Sequence, residues 1–131
     1  MQGGRGVERD ELEQLVPRVI GCMIQVHKQL GPGFLENVYH RAVEVELRRQ
    51  AIPFETEKEI PIYYLGENVG THRLDLFVAG ELVVELKTVE QVSAVHYAQV
   101  RSYLKAVGKS IGLLVNFASS PLDCRRVERK H

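Results

Sequence analysis

Two short segments near the middle of the chain alternate between apolar and polar positions. The first covers residues 71–79, the second covers residues 82–87, and Ala79-Gly80 lies between them. Because side chains change face at every step of a strand, this alternation predicts two β-strands joined by a tight turn. The apolar face of this hairpin is expected to carry six side chains: Leu74, Leu76, Val78, Leu82, Val84 and Leu86.

Hydrophobic residues elsewhere recur at the spacing of helices. Intervals of three and four predict amphipathic helices over residues 8–30, 35–50 and 93–107. Gly31-Pro32-Gly33 ends the first helix. Pro17 lies inside the first pattern, where it either opens the main helix or kinks a longer one.

Three further segments are typical of strands. They cover residues 54–65, 111–117 and 122–130, and Gly66-Glu-Asn-Val-Gly70 is expected to be a turn into the hairpin. The apolar segment 111–117 follows a helix, which favours a buried strand parallel to its neighbour. The resulting order, α-α-β-β-β-α-β-β, predicts an α/β (α+β) domain with a central mixed sheet flanked by helices. We expect one domain over residues 9–131, preceded by a flexible end of residues 1–8.

Composition limits the classes of function. With 131 residues, 44% hydrophobic and 26% charged, the chain suits one soluble domain with a modest core. Its formal net charge of zero disfavours a passive nucleic-acid coat, but constrains a metal-dependent enzyme less, since the ion supplies positive charge. Cys22 and Cys124 are too few for a disulfide framework or a zinc site, so we expect a reducing cytoplasm. No apolar run is long enough to span a membrane.

The polar face of the predicted hairpin carries two acids and a lysine. If the chain turns at Gly80, Asp75 lies nearly opposite Glu85, with β-carbons about 5 Å apart, and Lys87 follows on the same face. Two carboxylates at that distance repel each other unless a positive charge lies between them. A divalent cation would supply that charge. The alternative is a solvated polar face with a cross-strand ion pair.

Several motifs in this order resemble one protein family. Gly33-Phe-Leu-Glu36-Asn-Val-Tyr39 has the form Gly-x-x-Glu-x-x-Tyr, and Asp75 followed by Glu85-Leu-Lys87 has the form of a PD-(D/E)XK hairpin. Together with Gln99-x-x-x-Tyr103, they resemble the GxxExxY protein family of the PD-(D/E)XK nuclease superfamily, over roughly residues 12 to 129.

The resemblance implies a restriction-endonuclease-like core and a nuclease that uses Mg²⁺, with Mn²⁺ as a substitute. Asp75, Glu85 and the main-chain carbonyl of Leu86 would hold the metal, and Glu36 would point towards the same site. Lys87 would orient or help deprotonate the attacking water.

Gln99 and Tyr103, as in RecB-like members of the superfamily, would position the phosphate or brace the metal ligands. The implied partner is nucleic acid, with DNA as the first candidate. Because the chain is small, a second copy would help to hold a duplex. The alternative function is a catalytically silent module that binds nucleic acid or protein on the same fold.

Two features have plainer interpretations. Glu36 in the first turn of a helix would complement the helix dipole whether or not it binds metal. The basic cluster of Arg125, Arg126, Arg129 and Lys130 is first interpreted as a charged sheet edge and second as a phosphate contact.

Overall fold

The computed structural model describes the backbone of residues 3–129 and the side chains of residues 9–129. Its elements follow in the order α1 (Gly3–Leu30), α2 (Glu36–Arg49), β1 (Phe54–Tyr64), β2 (Glu67–Val78), β3 (Leu82–Lys87), α3 (Ala94–Val107), β4 (Ile111–Asn116) and β5 (Asp123–Glu128).

The five strands form one sheet in the order of the chain, β1-β2-β3-β4-β5. β3 and β4 are parallel and the other neighbours are antiparallel. The parallel pair needs a long crossover, and α3 supplies it. The predicted mixed sheet is therefore confirmed, including the parallel strand at 111–117.

Helices cover both faces of the sheet. On one face α1 and α2 pack against β2, β3 and β4 around Met23, Tyr39, Leu47 and Leu86, all fully buried. On the other face α3 packs against the same strands through Val100 and Leu104. Within residues 3–129 no helix has the length and apolar character needed to cross a membrane.

Two element boundaries differ from the prediction. α1 begins at Gly3 and continues through Pro17, so Pro17 does not open the helix. Met1 and Gln2, the rest of the predicted flexible end, lie outside the described residues. The turn before β2 is only Leu65-Gly66, with φ of 49° and 83°, which fits a two-residue hairpin. Glu67, Asn68 and Gly70 pair with β1 instead of forming a longer turn.

β2 also changes face at Asp75, which corrects the expectation for Leu74. Leu76 and Val78 pack with α1 and α2, whereas Leu74 packs with α3. β1 changes face at the same place, since Thr56 bonds to α2 and Ile60 packs with the α3 core. Ladder pairs flank this point on both sides, but none joins Glu57 to Asp75, and Glu57 has a φ of 50°. This left-handed residue breaks the alternation that the pattern predicts.

A close contact between α3 and β4 depends on a glycine. A β-carbon added to Gly112 would lie 2.8 Å from Val100 Cγ1 and 3.1 Å from the carbonyl oxygen of Val83. The backbone oxygen cannot move without disturbing the pairing of β3 with β4. The position of α3 against the sheet therefore requires glycine here.

We expect Gly112→Ala to lower the free energy of unfolding by about 1–3 kcal/mol, because overpacking displaces α3. Gly21→Ala is the matched control, since Gly21 lies in α1 with nothing within 4 Å of an added β-carbon. That substitution should raise the free energy of unfolding by about 0.5–1 kcal/mol. Urea unfolding measures both, and a neutral Gly112→Ala would contradict the close contact.

Candidate active site

Asp75 and Glu85 hold β2 and β3 together by an exchange of side-chain bonds. The regular ladder between these strands ends at the pair Leu76 and Val84. Beyond it, the backbone N–H of Asp75 donates to Glu85 Oε1 at 3.2 Å, and the N–H of Leu86 donates to Asp75 Oδ2 at 2.9 Å. Each carboxylate thus caps the opposite strand. Among the described residues, no hydrogen bond reaches the second oxygen of either group.

The carbonyl of Leu86 faces the same opening. A strand residue's N–H and C=O point to the same side, and the N–H of Leu86 points to Asp75. The backbone carbonyl of Lys87 points the other way, towards β4, since it accepts the N–H of Phe117 at 2.9 Å. The Leu86 oxygen and the second carboxylate oxygens therefore lie where the two strands separate.

The charge on Glu85 is poorly compensated. The residue is only 4% exposed, and burial raises the pKa of its carboxyl to about 8, with the nearby charge of Asp75 as the next cause. The bond from the Asp75 backbone and the charge of Lys87 act in the opposite direction and do not cancel these effects. A bound cation would relieve this repulsion, so the donor set fits a hard divalent metal.

Glu36 is placed by the turn before α2. Tyr39, one turn further on and fully buried, donates its hydroxyl to the carbonyl of Gly31 at 2.5 Å and accepts the N–H of Phe34 at 3.1 Å. Its ring stacks on Phe117 with centroids 4.6 Å apart. The tyrosine of the Gly-x-x-Glu-x-x-Tyr motif is therefore a brace, which fixes the start of α2.

Glu36 lies close enough to the hairpin acids to sense their charge. Partial burial, then the charge of Asp75, raises the pKa of Glu36, while Lys87 and His40 lower it. The four predicted residues Glu36, Asp75, Glu85 and Lys87 thus face one site. Within residues 9–129, no three acid, histidine or cysteine side chains are grouped closely enough to hold a metal by themselves.

The segment after Lys87 is held by a residue that sequence reasoning missed. Asn116 is 1% exposed, and its side chain bonds to both backbone groups of Val89, at 3.1 Å and 2.8 Å. Since Lys87 lies opposite Asn116 in the parallel ladder, these bonds fix the chain just beyond the lysine. The only sequence signal was a lone asparagine ending an apolar strand.

Tyr103 borders the site and Gln99 accompanies it. Burial, followed by the charges of Glu85 and Asp75, raises the pKa of Tyr103 to about 12, while the Gln99 side chain lowers it. Tyr103 is 7% exposed and Gln99 is partly buried. Both predicted residues therefore lie on the side of α3 that faces the hairpin acids.

His40 was also missed. It follows Glu36 by one turn of α2, and its Nε2 lies 2.9 Å from Thr56 Oγ1 and 3.2 Å from Glu44 Oε2. The hydroxyl of Thr56 in turn donates to Glu44 at 3.0 Å. This group ties α2 to β1 beside the change of face. No motif marks it, because it depends on the register between a helix and an edge strand.

The predicted basic cluster takes no part in this site. Arg125 bonds to Asp123 and to the hydroxyl of Tyr97, and Arg126 binds Glu13 and Glu128. The positive charges of Arg125 and Arg126 on the edge strand β5 are thus already paired with acids. Lys130 lies outside the described residues.

Comparisons with known proteins agree with this geometry. The family model of the PD-(D/E)XK nuclease superfamily matches residues 13–128, so the chain belongs to that superfamily. None of the curated proteins compared with it matches. The crystal structure of SSO0001 is similar, with a TM-score of 0.58 and 22% identity over 72% of this chain. The similarity covers 50% of the SSO0001 chain and supports the fold alone.

We expect Tyr39→Phe to lower the free energy of unfolding by about 1–3 kcal/mol, because it leaves the partly buried carbonyl of Gly31 and N–H of Phe34 without their partner. Tyr63→Phe removes the same atom from a side chain that is 63% exposed, and should change stability by less than about 0.5 kcal/mol. Urea unfolding of both variants measures this difference. Equal effects would mean that the hydroxyl of Tyr39 does not hold the turn.

We expect Glu85→Gln to stabilise the metal-free protein at alkaline pH and not at acidic pH. The pKa of the Glu85 carboxyl is raised in the folded protein. The contribution of its neutral form to stability is therefore fully present below pH 4.5 and is lost as the pH rises through about 8. Glutamine stays neutral, and its amide oxygen can still accept the N–H of Asp75. Thermal melting in EDTA at both extremes measures the effect. Glu59→Gln, on the exposed part of β1, is the control, and an equal gain at both pH values would contradict the assignment.

Proposed function

We propose that this member of the PD-(D/E)XK nuclease superfamily hydrolyses phosphodiester bonds of nucleic acid with the help of a divalent metal. DNA is the first candidate substrate. The observation that carries the proposal is the exchange between Asp75 and Glu85. It uses one oxygen of each carboxylate for the fold and leaves the other for a ligand, at a place where burial disfavours the charged form of Glu85 unless a cation is bound.

Asp75, Glu85 and the carbonyl of Leu86 would hold the metal. These are hard oxygen donors, which Mg²⁺ prefers, and Mg²⁺ keeps several waters when few protein ligands are present. When bound, the ion supplies a Lewis acid for the phosphate and lowers the pKa of a water. Glu36, whose pKa is raised by partial burial and by the charge of Asp75, would face the same metal from the start of α2.

Lys87 would act on the attacking water and on the charge that develops beside it. Its side chain is half-buried, so its positive charge is screened less than that of a surface lysine. It follows Glu85 by two residues and influences the pKa of both Glu36 and Glu85. Donors held in place before reaction are the most effective at stabilising a developing charge.

Tyr103 and Gln99 would position the phosphate from the α3 side. The raised pKa of Tyr103 keeps its hydroxyl protonated, so it can donate to a phosphate oxygen. We also assign the chain to the GxxExxY family, on the motif from Gly33 to Tyr39 and on the brace that Tyr39 forms. Mg²⁺ with Mn²⁺ as a substitute, a cytoplasmic location and a second copy that helps to hold a duplex remain part of this proposal.

We expect the wild type to cut nucleic acid in the presence of Mg²⁺ or Mn²⁺, and Lys87→Ala to cut about 100- to 10,000-fold more slowly. Lys87 supplies no metal ligand, so its loss tests the chemistry and not metal binding. The measurement is cleavage of a panel of single-stranded, duplex and branched DNA and RNA, with EDTA as the metal-free reference.

Lys28→Ala is the matched control, because Lys28 is exposed in the last turn of α1 and outside the site. This variant should cut like the wild type. Equal cutting by Lys87→Ala would place the activity elsewhere or in a contaminant. No cutting and no heat of Mg²⁺ binding in calorimetry would leave a catalytically silent binding module.

A further inference from the structure

A second concave surface lies beside the candidate active site. It is bounded by α3 on one side and by the antiparallel strands β1 and β2, a different hairpin from the one that carries Asp75 and Glu85, on the other. It is a cleft of about 630 Å³, within the usual range of ligand-binding pockets. One wall is formed by Ser102 and Lys105 of α3, and the other by Tyr63, Val69 and His72 of the hairpin. The site described above uses none of these five residues.

The two walls of the cleft are joined to each other and to the active site. His72 Nε2 lies 2.7 Å from Ser102 Oγ, which ties β2 to α3. The ring of His72 packs edge-on against Tyr103, with centroids 5.0 Å apart, and the charge of Glu85 reaches Tyr103. His72 precedes Asp75 by three residues, or about 10 Å of strand. That is about three steps of a stacked nucleic-acid strand.

An aromatic side chain, Tyr63, lies beside a β-bulge at the wall of this cleft. The register of β1 and β2 shifts between Ile62 and Tyr63, so that Tyr63 pairs with Asn68 and Val69 is left over. Such bulges often lie beside active sites and redirect a side chain. Both Tyr63 and Val69 line the cleft, and they are 63% and 62% exposed. The wall of the cleft therefore carries two apolar side chains that the other described elements leave open to solvent.

The charge of the cleft suits an anionic chain. Although the protein has 17 acidic residues, no aspartate or glutamate lines this surface. Lys105 belongs to none of the ion pairs among the described side chains, whereas Arg73, Arg125 and Arg126 are each paired with an acid. An aromatic ring beside a free cation is how proteins bind single-stranded nucleic acid, by stacking a base and contacting a phosphate.

We propose that this cleft binds a nucleotide of the single strand that flanks the scissile phosphate. Tyr63 stacks on the base, Lys105 contacts the phosphate, and the bond between His72 and Ser102 keeps the cleft open. The position of this nucleotide next to the scissile phosphate rests on the proposed nuclease function. The binding of a single strand in the cleft does not.

The test is binding of fluorescein-labelled oligothymidylate, roughly ten nucleotides long, to the full chain in low salt with EDTA, so that nothing is cut. We expect Tyr63→Ala to bind about 5- to 100-fold more weakly and Tyr63→Phe to bind like the wild type. For Lys105→Ala, the slope of log K against log salt should fall by about 0.7. Tyr64→Ala and Lys28→Ala are the matched controls outside the cleft and should change neither quantity.

These outcomes test strand binding by the cleft separately from the proposed nuclease activity. Weaker binding by the cleft variants, with unchanged controls, supports the cleft even if the wild type cuts nothing in Mg²⁺. Unchanged binding by Tyr63→Ala and Lys105→Ala overturns it and leaves the cleft to a protein partner or to no partner. If the wild type does not bind the oligonucleotide in EDTA, the strand-binding proposal is also overturned. Cutting in Mg²⁺ would then support the nuclease function without the cleft.

Discussion

The bonds that Asp75 and Glu85 make to each other's strands are the interaction on which the rest of the structure depends. A regular ladder would have paired these residues through their backbones and pointed both side chains to one face. Instead the ladder ends one residue earlier, and the carboxylates replace the missing backbone partners. The fold thus uses half of each carboxylate, and the remaining half is presented in a fixed position. The cost is a buried carboxyl whose negative charge the chain compensates poorly, which raises the pKa of Glu85 to about 8.

Other parts of the molecule bring groups to this point from three directions. Tyr39 anchors the turn before α2 and thereby the position of Glu36. Asn116 holds the segment after Lys87. Gly112 lets α3 approach the sheet closely enough for Tyr103 to lie near Glu85. None of these three residues has to touch substrate, yet each one determines where a proposed functional group lies, which is the role that a rigid scaffold has in catalysis.

The parts that could be predicted from the sequence are those that depend on local periodicity. Alternation predicted the hairpin, intervals of three and four predicted the helices, and the acid on one strand with Glu-x-Lys on the next predicted which side chains would meet. Asn116 and His40 could not be found this way, because their partners lie 27 and 16 residues away and are chosen by tertiary register. The change of face at Asp75 was missed because a glutamate in the left-handed region gives no local signal, where glycine would have.

That change of face also links the candidate active site to the cleft. Without it, Leu74 and His72 would lie under α1 and α2 with Leu76, because alternate residues of a strand share a face. With it, both turn towards α3, where His72 meets Ser102 and Tyr103. One irregular position therefore releases Asp75 from the ladder and also builds a wall of the neighbouring cleft. A regular β2 would have paired with β1 and β3 without interruption and would have formed neither the site nor the cleft. We therefore connect the strained backbone at Glu57 with the candidate active site.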